Sequence, residues 1–189
     1  RPDATHVSVD SSATSMTGYG GRLMLNKNRG RWTFNTAVGF LNPKFELNDL
    51  GFGSYSDYMN AHFHTSYIWN VPTEFYQYFG FNASTFVSYD FGWNKIAQGY
   101  RAGAYYASRD YYTASLSYLY NPSTLNSRRT RGGPLTVNPE RHSVNFDAGT
   151  DNRVWWVLQV GGNFNTGEDG TSRGIYTNLE FKVLPTLTV

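Results

Sequence analysis

The chain has 189 residues, enough for one domain with a sizeable core, and carries 16 Lys and Arg against 14 Asp and Glu, a formal net charge of +2. That balance argues against a general nucleic-acid binder, which shows a strong basic excess, and no nucleic-acid partner is expected. Cysteine is absent, which removes disulfides, thiolate nucleophiles and thiolate metal sites.

Aromatic residues make up 17% of the chain and charged residues only 16%, where a soluble domain is nearer a quarter charged. No run approaches the roughly 18 apolar residues of a membrane helix. The mean hydropathy of −0.50 suits a soluble protein, but equally a transmembrane barrel whose polar interior offsets its apolar exterior. The opening Arg-Pro-Asp-Ala carries no signal peptide, so the chain reads as a mature product or an excised piece.

In chain order, residues 1–16 form a poorly patterned lead-in, with a weak strand over Thr5 to Asp10 and a Ser/Thr-rich loop over Ser11 to Thr17. From Thr17 the residues alternate with period two, the mark of a strand with one apolar face. Tyr19, Gly21, Leu23 and Leu25 oppose Gly18, Gly20, Arg22 and Asn26, and Asn26 to Gly30 is a hairpin turn. Arg31 to Leu41 follows, with Trp32, Phe34, Thr36, Val38 and Phe40 on one face. The chain leaves that strand through Asn42-Pro43, since proline cannot donate to a sheet ladder.

After a long loop to Asp57, Tyr58 to Asn70 places Met59, Ala61, Phe63, Thr65, Tyr67 and Trp69 opposite Asn60, His62, His64 and Ser66. Further alternating segments cover Phe75 to Asp90, Gln98 to Ser108, Tyr111 to Tyr120, His142 to Thr150, Val154 to Asn165 and Ile175 to Val183. Pro185 breaks the last, and Thr186 to Val189 begins a weaker one. The pattern predicts nine clear strands, a weaker one at each end and no helix.

Three features bear on what covers the apolar face. Connections are short at 26–30, 70–74, 108–110, 150–152 and 184–186, long at 42–57 and 121–141, and medium at 91–97 and 165–172. Outer-membrane barrels alternate in this way between short periplasmic turns and longer external loops. Trp32, Trp69, Phe75, Tyr106, Tyr112 and Trp156 sit near the short turns, and Tyr19, Phe40, Tyr89, Tyr118, Tyr120 and Phe164 near the longer ones, giving two candidate membrane-interface girdles. The strands also reach the ~9–11 residues a tilted barrel strand needs, against ~5–6 in soluble sheets. The fold expected is all-β, an antiparallel up-and-down transmembrane β-barrel with about nine to eleven strands in this chain. A soluble β-sandwich or lipocalin-like barrel is the alternative.

Gly18 to Lys27, Leu41 to Phe52 with its Asn-Asp-Leu-Gly-Phe element, Arg131-Gly-Gly-Pro134 and Thr150-Asp-Asn-Arg153 occur in this order. Together they resemble an uncharacterised family of bacterial outer-membrane barrels. Its members carry an N-terminal domain similar to carbohydrate-binding module family 9. The resemblance runs from about residue 17 to 183. It implies residence in the bacterial outer membrane and a larger barrel with further strands after Val189. It also implies lipid and lipopolysaccharide as surroundings and a possible glycan or other outer-membrane protein as partner. No catalytic residue comes with it.

Among candidate sites, His62, His64 and Ser66 share a polar face with Asp90 on the following strand. That combination can in principle bind a metal or perform acyl transfer, yet lumenal hydrogen bonding between strands is the simpler reading. Arg128, Arg129 and Arg131 form the densest positive charge, placed to meet anionic ligands, lipopolysaccharide phosphate, or lumenal carboxylates such as Asp147 and Glu180. Glu168 and Asp169 fall short of a calcium site and read as a turn. No cofactor, metal or catalytic residue is therefore assigned. The expected role is a non-enzymatic channel, transporter or surface scaffold, with a lumenal His/Ser hydrolase or a soluble ligand-binding barrel as alternatives.

Overall fold

A computed structural model describes residues 4–8, 10–46, 56–131, 133–184 and 187–188. They contain twelve strands and no helix: β1 Gly20–Lys27, β2 Trp32–Leu41, β3 Tyr58–Trp69, β4 Tyr76–Tyr89, β5 Lys95–Ser108, β6 Thr113–Asn121, β7 Thr124–Asn126, β8 Thr136–Asn138, β9 Arg141–Gly149, β10 Trp156–Gly167, β11 Gly170–Leu184 and β12 Leu187–Thr188. Ten make one antiparallel sheet in the order β1-β2-β3-β4-β5-β6-β9-β10-β11-β12, while β7 and β8 form a separate hairpin. The nine long strands are those the alternation predicts. The sheet is open, since β1 and β12 do not pair with each other. The weak strand expected over Thr5 to Asp10 is absent from the described part of that segment, which turns instead.

Two connections depart from expectation. The link from β4 to β5 occupies only 90–94, and β10 passes to β11 through Glu168 and Asp169 alone. The latter is a two-residue hairpin with Gly167 opposite Gly170, and Gly170 takes the positive φ of 125° that such a turn requires. Length segregation therefore rests on 42–57 and 122–140 only. Of the long loop's apolar residues, Leu47, Leu50 and Phe52 lie outside the described residues. Phe45 folds back on the start of β1, its backbone and ring meeting the open sides of Gly18 and Gly20.

Register fixes the two faces. Leu23, Val38, Ala61, Val87 and Gln98 fall in one row, and Ala104, Leu116, Phe146, Gly162 and Ile175 in another row of the same face. This face is bare: Leu23 is 74% exposed, Leu116 55% and Ile175 80%. Conversely, the buried apolar residues among those described are only Ala4, Ala37, Ala107 and Val157. The chain exposes 13225 Å², whereas a compact monomer of its 21.4 kDa would expose about 9,100 Å². With roughly 4,000 Å² of excess surface, the described residues of this sheet enclose no hydrophobic core of their own.

The opposite face carries small and polar residues, but aromatics also lie on it. Tyr105 packs over Gly80 and Phe86 over Gly99, each filling the space a neighbouring glycine leaves open. Tyr176 covers Gly161 in the same way and donates its hydroxyl hydrogen to Asp147. A ring laid across a glycine of the next strand covers backbone that would otherwise be unpacked.

Candidate functional site

Among the described residues, three side chains with metal-ligating chemistry converge at the end of the sheet where β3 begins and β4 ends. Asp57 precedes β3 with a positive φ of 57°, Asp90 follows β4, and His6 arrives from the lead-in. The His6 Nε2 and Asp57 Oδ2 atoms are 2.9 Å apart, and one ligand atom from each of His6, Asp57 and Asp90 lies within 4.8 Å of the others. Asp90 is only 1% exposed, with His6 and Asp57 side chains at 14% and 22%.

Outer partners orient both carboxylates. Phe91 N–H donates to Asp57 Oδ1 at 2.9 Å. Asn94 donates its backbone N–H to Asp90 Oδ1 at 2.9 Å and its amide Nδ2–H to Asp90 Oδ2 at 2.8 Å. His6 fits because Gly92 has no side chain: a β-carbon there would stand 2.5 Å from His6 Nδ1. Beside the cluster, Asn42 is a second junction. It is 6% exposed; its Oδ1 accepts from Tyr19 N–H at 2.9 Å, and its own N–H donates to Tyr19 O at 3.0 Å.

The His62, His64, Ser66 and Asp90 set does not assemble. His64 stands opposite Ser84, six residues or roughly 20 Å along the strand from Asp90. The His62 ring nitrogen Nε2 lies 2.5 Å from Asn35 Oδ1, so that side chain is engaged in cross-strand bonding, and His64 is exposed.

The arginine loop is ordered by the β7–β8 hairpin. Asn126 Oδ1 accepts from the N–H groups of Arg128 and Arg129 at 3.0 and 2.9 Å. Arg129 donates to Val137 O at 3.2 Å and Asn138 Oδ1 at 2.8 Å, and Arg128 reaches Ser56 O at 3.4 Å. Arg131 takes a φ of 49° in the turn. The expected carboxylates have other neighbours: Asp147 accepts from Tyr176, and Glu180 lies 3.9 Å from Lys182. Between the hairpin and Leu41, Tyr58, Ile96 and Ala97 lies a cavity of 510 Å³.

Trp69, Tyr19 and Phe40 lie at strand ends. Trp69 and Phe79 stack at 4.4 Å near the 70–75 turn, and Tyr19 meets Phe40 edge-on at 6.1 Å at the opposite end. At the other turns of the 70–75 end, Arg153 binds Asp151 through both Nε and Nη2, at 2.9 and 2.7 Å, and its guanidinium carbon sits 3.0 Å from the Tyr111 ring centre. Foremost the Arg153 side-chain hydrogen bonds, then its backbone N–H and the charges of Arg153 and Lys182, hold the Asp151 carboxyl at about 2.

Sequence reasoning missed the His6, Asp57 and Asp90 cluster and the Asn42 junction. The only local signal for either was Asn42 standing before Pro43 at a strand exit. The cluster joins three segments far apart in the chain, and no spacing rule reports it.

Fold and site thus define an all-β protein: an open antiparallel sheet with one bare apolar face, a polar face, and a His/Asp cluster at one end of its strands. The chain belongs to the family described as Domain of unknown function (DUF5916), whose model matches residues 3–187. No curated protein and no solved structure matches it.

Proposed function

We propose that the chain is part of a bacterial outer-membrane β-barrel, acting without catalysis as a channel, transporter or surface scaffold. The supporting observation is the bare apolar face, with Leu23, Val38, Phe81, Leu116 and Ile175 all more than half exposed. A patch of this extent on a soluble monomer would exceed the few hundred Å² such surfaces carry, whereas lipid covers it at no cost. Aromatics at the strand ends then lie at the two interfaces, and the face of His62, Arg101 and Asp147 lines the lumen. Because unpaired strand edges are not tolerated in lipid, β1 and β12 require further strands beside them. The β7–β8 hairpin, seated on the lumenal side, narrows the mouth and presents Arg131 to an anionic ligand or to lipopolysaccharide.

Membrane fractionation with heat-modifiable gel mobility tests this reading. The expected result is extraction only with detergent and a mobility shift on boiling. A chain that stays in solution without detergent overturns it. Single-channel conductance in planar bilayers then separates a channel from a closed scaffold.

A further inference from the structure

We propose that His6, Asp57 and Asp90 bind one divalent transition ion, of which Zn²⁺ is the probe, and that the ion fastens the lead-in to the end of the sheet. One imidazole nitrogen with two carboxylates suits Zn²⁺, Mn²⁺ or Fe²⁺; the imidazole disfavours Ca²⁺ and Mg²⁺, and soft ions would call for thiolates. The spacing fits as well. Ligands each ~2.1 Å from a metal stand about 3.4 Å apart in the tetrahedral arrangement Zn²⁺ prefers and about 3.0 Å apart at right angles; His6 Nε2 and Asp57 Oδ2, hydrogen-bonded at 2.9 Å, need part only slightly to admit an ion between them. A carboxylate oxygen of Asp90 lies within 4.8 Å of both.

Three features independent of that spacing support a site. First, both carboxylates are held from behind, Asp57 by Phe91 N–H and Asp90 by Asn94, the outer-partner arrangement that orients metal ligands. Second, the imidazole occupies a seat that any side chain at Gly92 would fill. Third, there is an entry path: His6 forms part of the wall of a 910 Å³ groove lined also by Asp10, Asn42, Lys44 and Phe91. This inference does not depend on what covers the apolar face.

The test is calorimetric titration of the chelator-treated full chain with Zn²⁺, with bound metal counted by mass spectrometry and the environment read from Co²⁺ absorption. The expected result is one ion per chain, bound at least ~10-fold more weakly in His6→Ala and Asp90→Asn, and unchanged in Glu168→Gln at the distant β10–β11 turn. Absence of stoichiometric binding overturns the proposal, as does binding of equal strength in His6→Ala. Should Asp90→Asn lose its β-sheet circular dichroism, His6→Ala decides alone, because His6 lies outside the sheet.

Discussion

The Tyr105 ring lies across Gly80 of the neighbouring strand so closely that a β-carbon at Gly80 would stand 2.5 Å from the phenol oxygen and 2.7 Å from the backbone carbonyl of Tyr67. The side chain can yield, but the carbonyl cannot without distorting the β3–β4 ladder. Gly80→Ala is therefore expected to destabilise the sheet by about 1–3 kcal/mol, and Tyr105→Leu in the same chain should not restore it. At Gly161 the three atoms nearest such a β-carbon all belong to side chains, two to Tyr176 and one to Asp147. There Tyr176→Leu should recover most of the loss caused by Gly161→Ala. Urea unfolding of the single and double variants distinguishes the two patterns.

Leu116 and Ser115 are adjacent on β6 and face opposite ways, Leu116 beside Phe146 and Ser115 beside Asp147. Leu116 is 55% exposed, so in water its replacement by arginine would change stability by no more than about 0.5 kcal/mol. On a lipid-facing surface near mid-strand the same change costs ~2–4 kcal/mol. The expectation is a large loss for Leu116→Arg and a small one for Ser115→Arg, measured by urea unfolding in lipid vesicles. Equal, small effects would place the apolar face in water.

Asn42 ties the end of β2 to the chain entering β1, and it does so from a buried position. Asn42→Ala leaves the Tyr19 N–H without its acceptor, for which about 1–3 kcal/mol is expected. Amide hydrogen exchange gives the direct reading: Tyr19 should lose protection, while Leu116 on the far strand keeps it.

These contacts mark how far the sequence could be read. Period-two alternation is a local property of each strand, so Trp32, Val38 and Phe63 could be assigned to a face without knowing their neighbours. The sequence between β10 and β11 reads as a medium loop because Thr166 to Ser172 is rich in Gly and Asp. Cross-strand pairing carries the ladder through Thr166 and Ser172 as far as Gly167 and Gly170, and that pairing is not a local property of the segment. Tyr105 and Tyr176 fell on the face expected to be polar, and their purpose is visible only once Gly80 and Gly161 are placed beside them. His6, Asp57 and Asp90 meet through tertiary folding alone.

Asp151 offers a test by pH. Its carboxyl is lowered from an ordinary 3.8 to about 2, chiefly by hydrogen bonds from the Arg153 side chain. A group depressed in the folded state contributes stability above its unfolded value and loses it as the pH falls through the folded one. The contribution should therefore be complete above pH 4 and disappear between about 4 and 2. Other carboxylates titrate in the same range, so the measurement is the difference in melting temperature between the wild type and Asp151→Asn. That difference should be constant from pH 7 down to about 4 and shrink towards zero below it. Arg153→Lys, which loses the paired hydrogen bonds and stacks less well on Tyr111, should shift the Asp151 titration back towards 3.8. A difference that stays constant down to pH 2 would mean that the Asp151–Arg153 pair adds nothing to the stability of the turn.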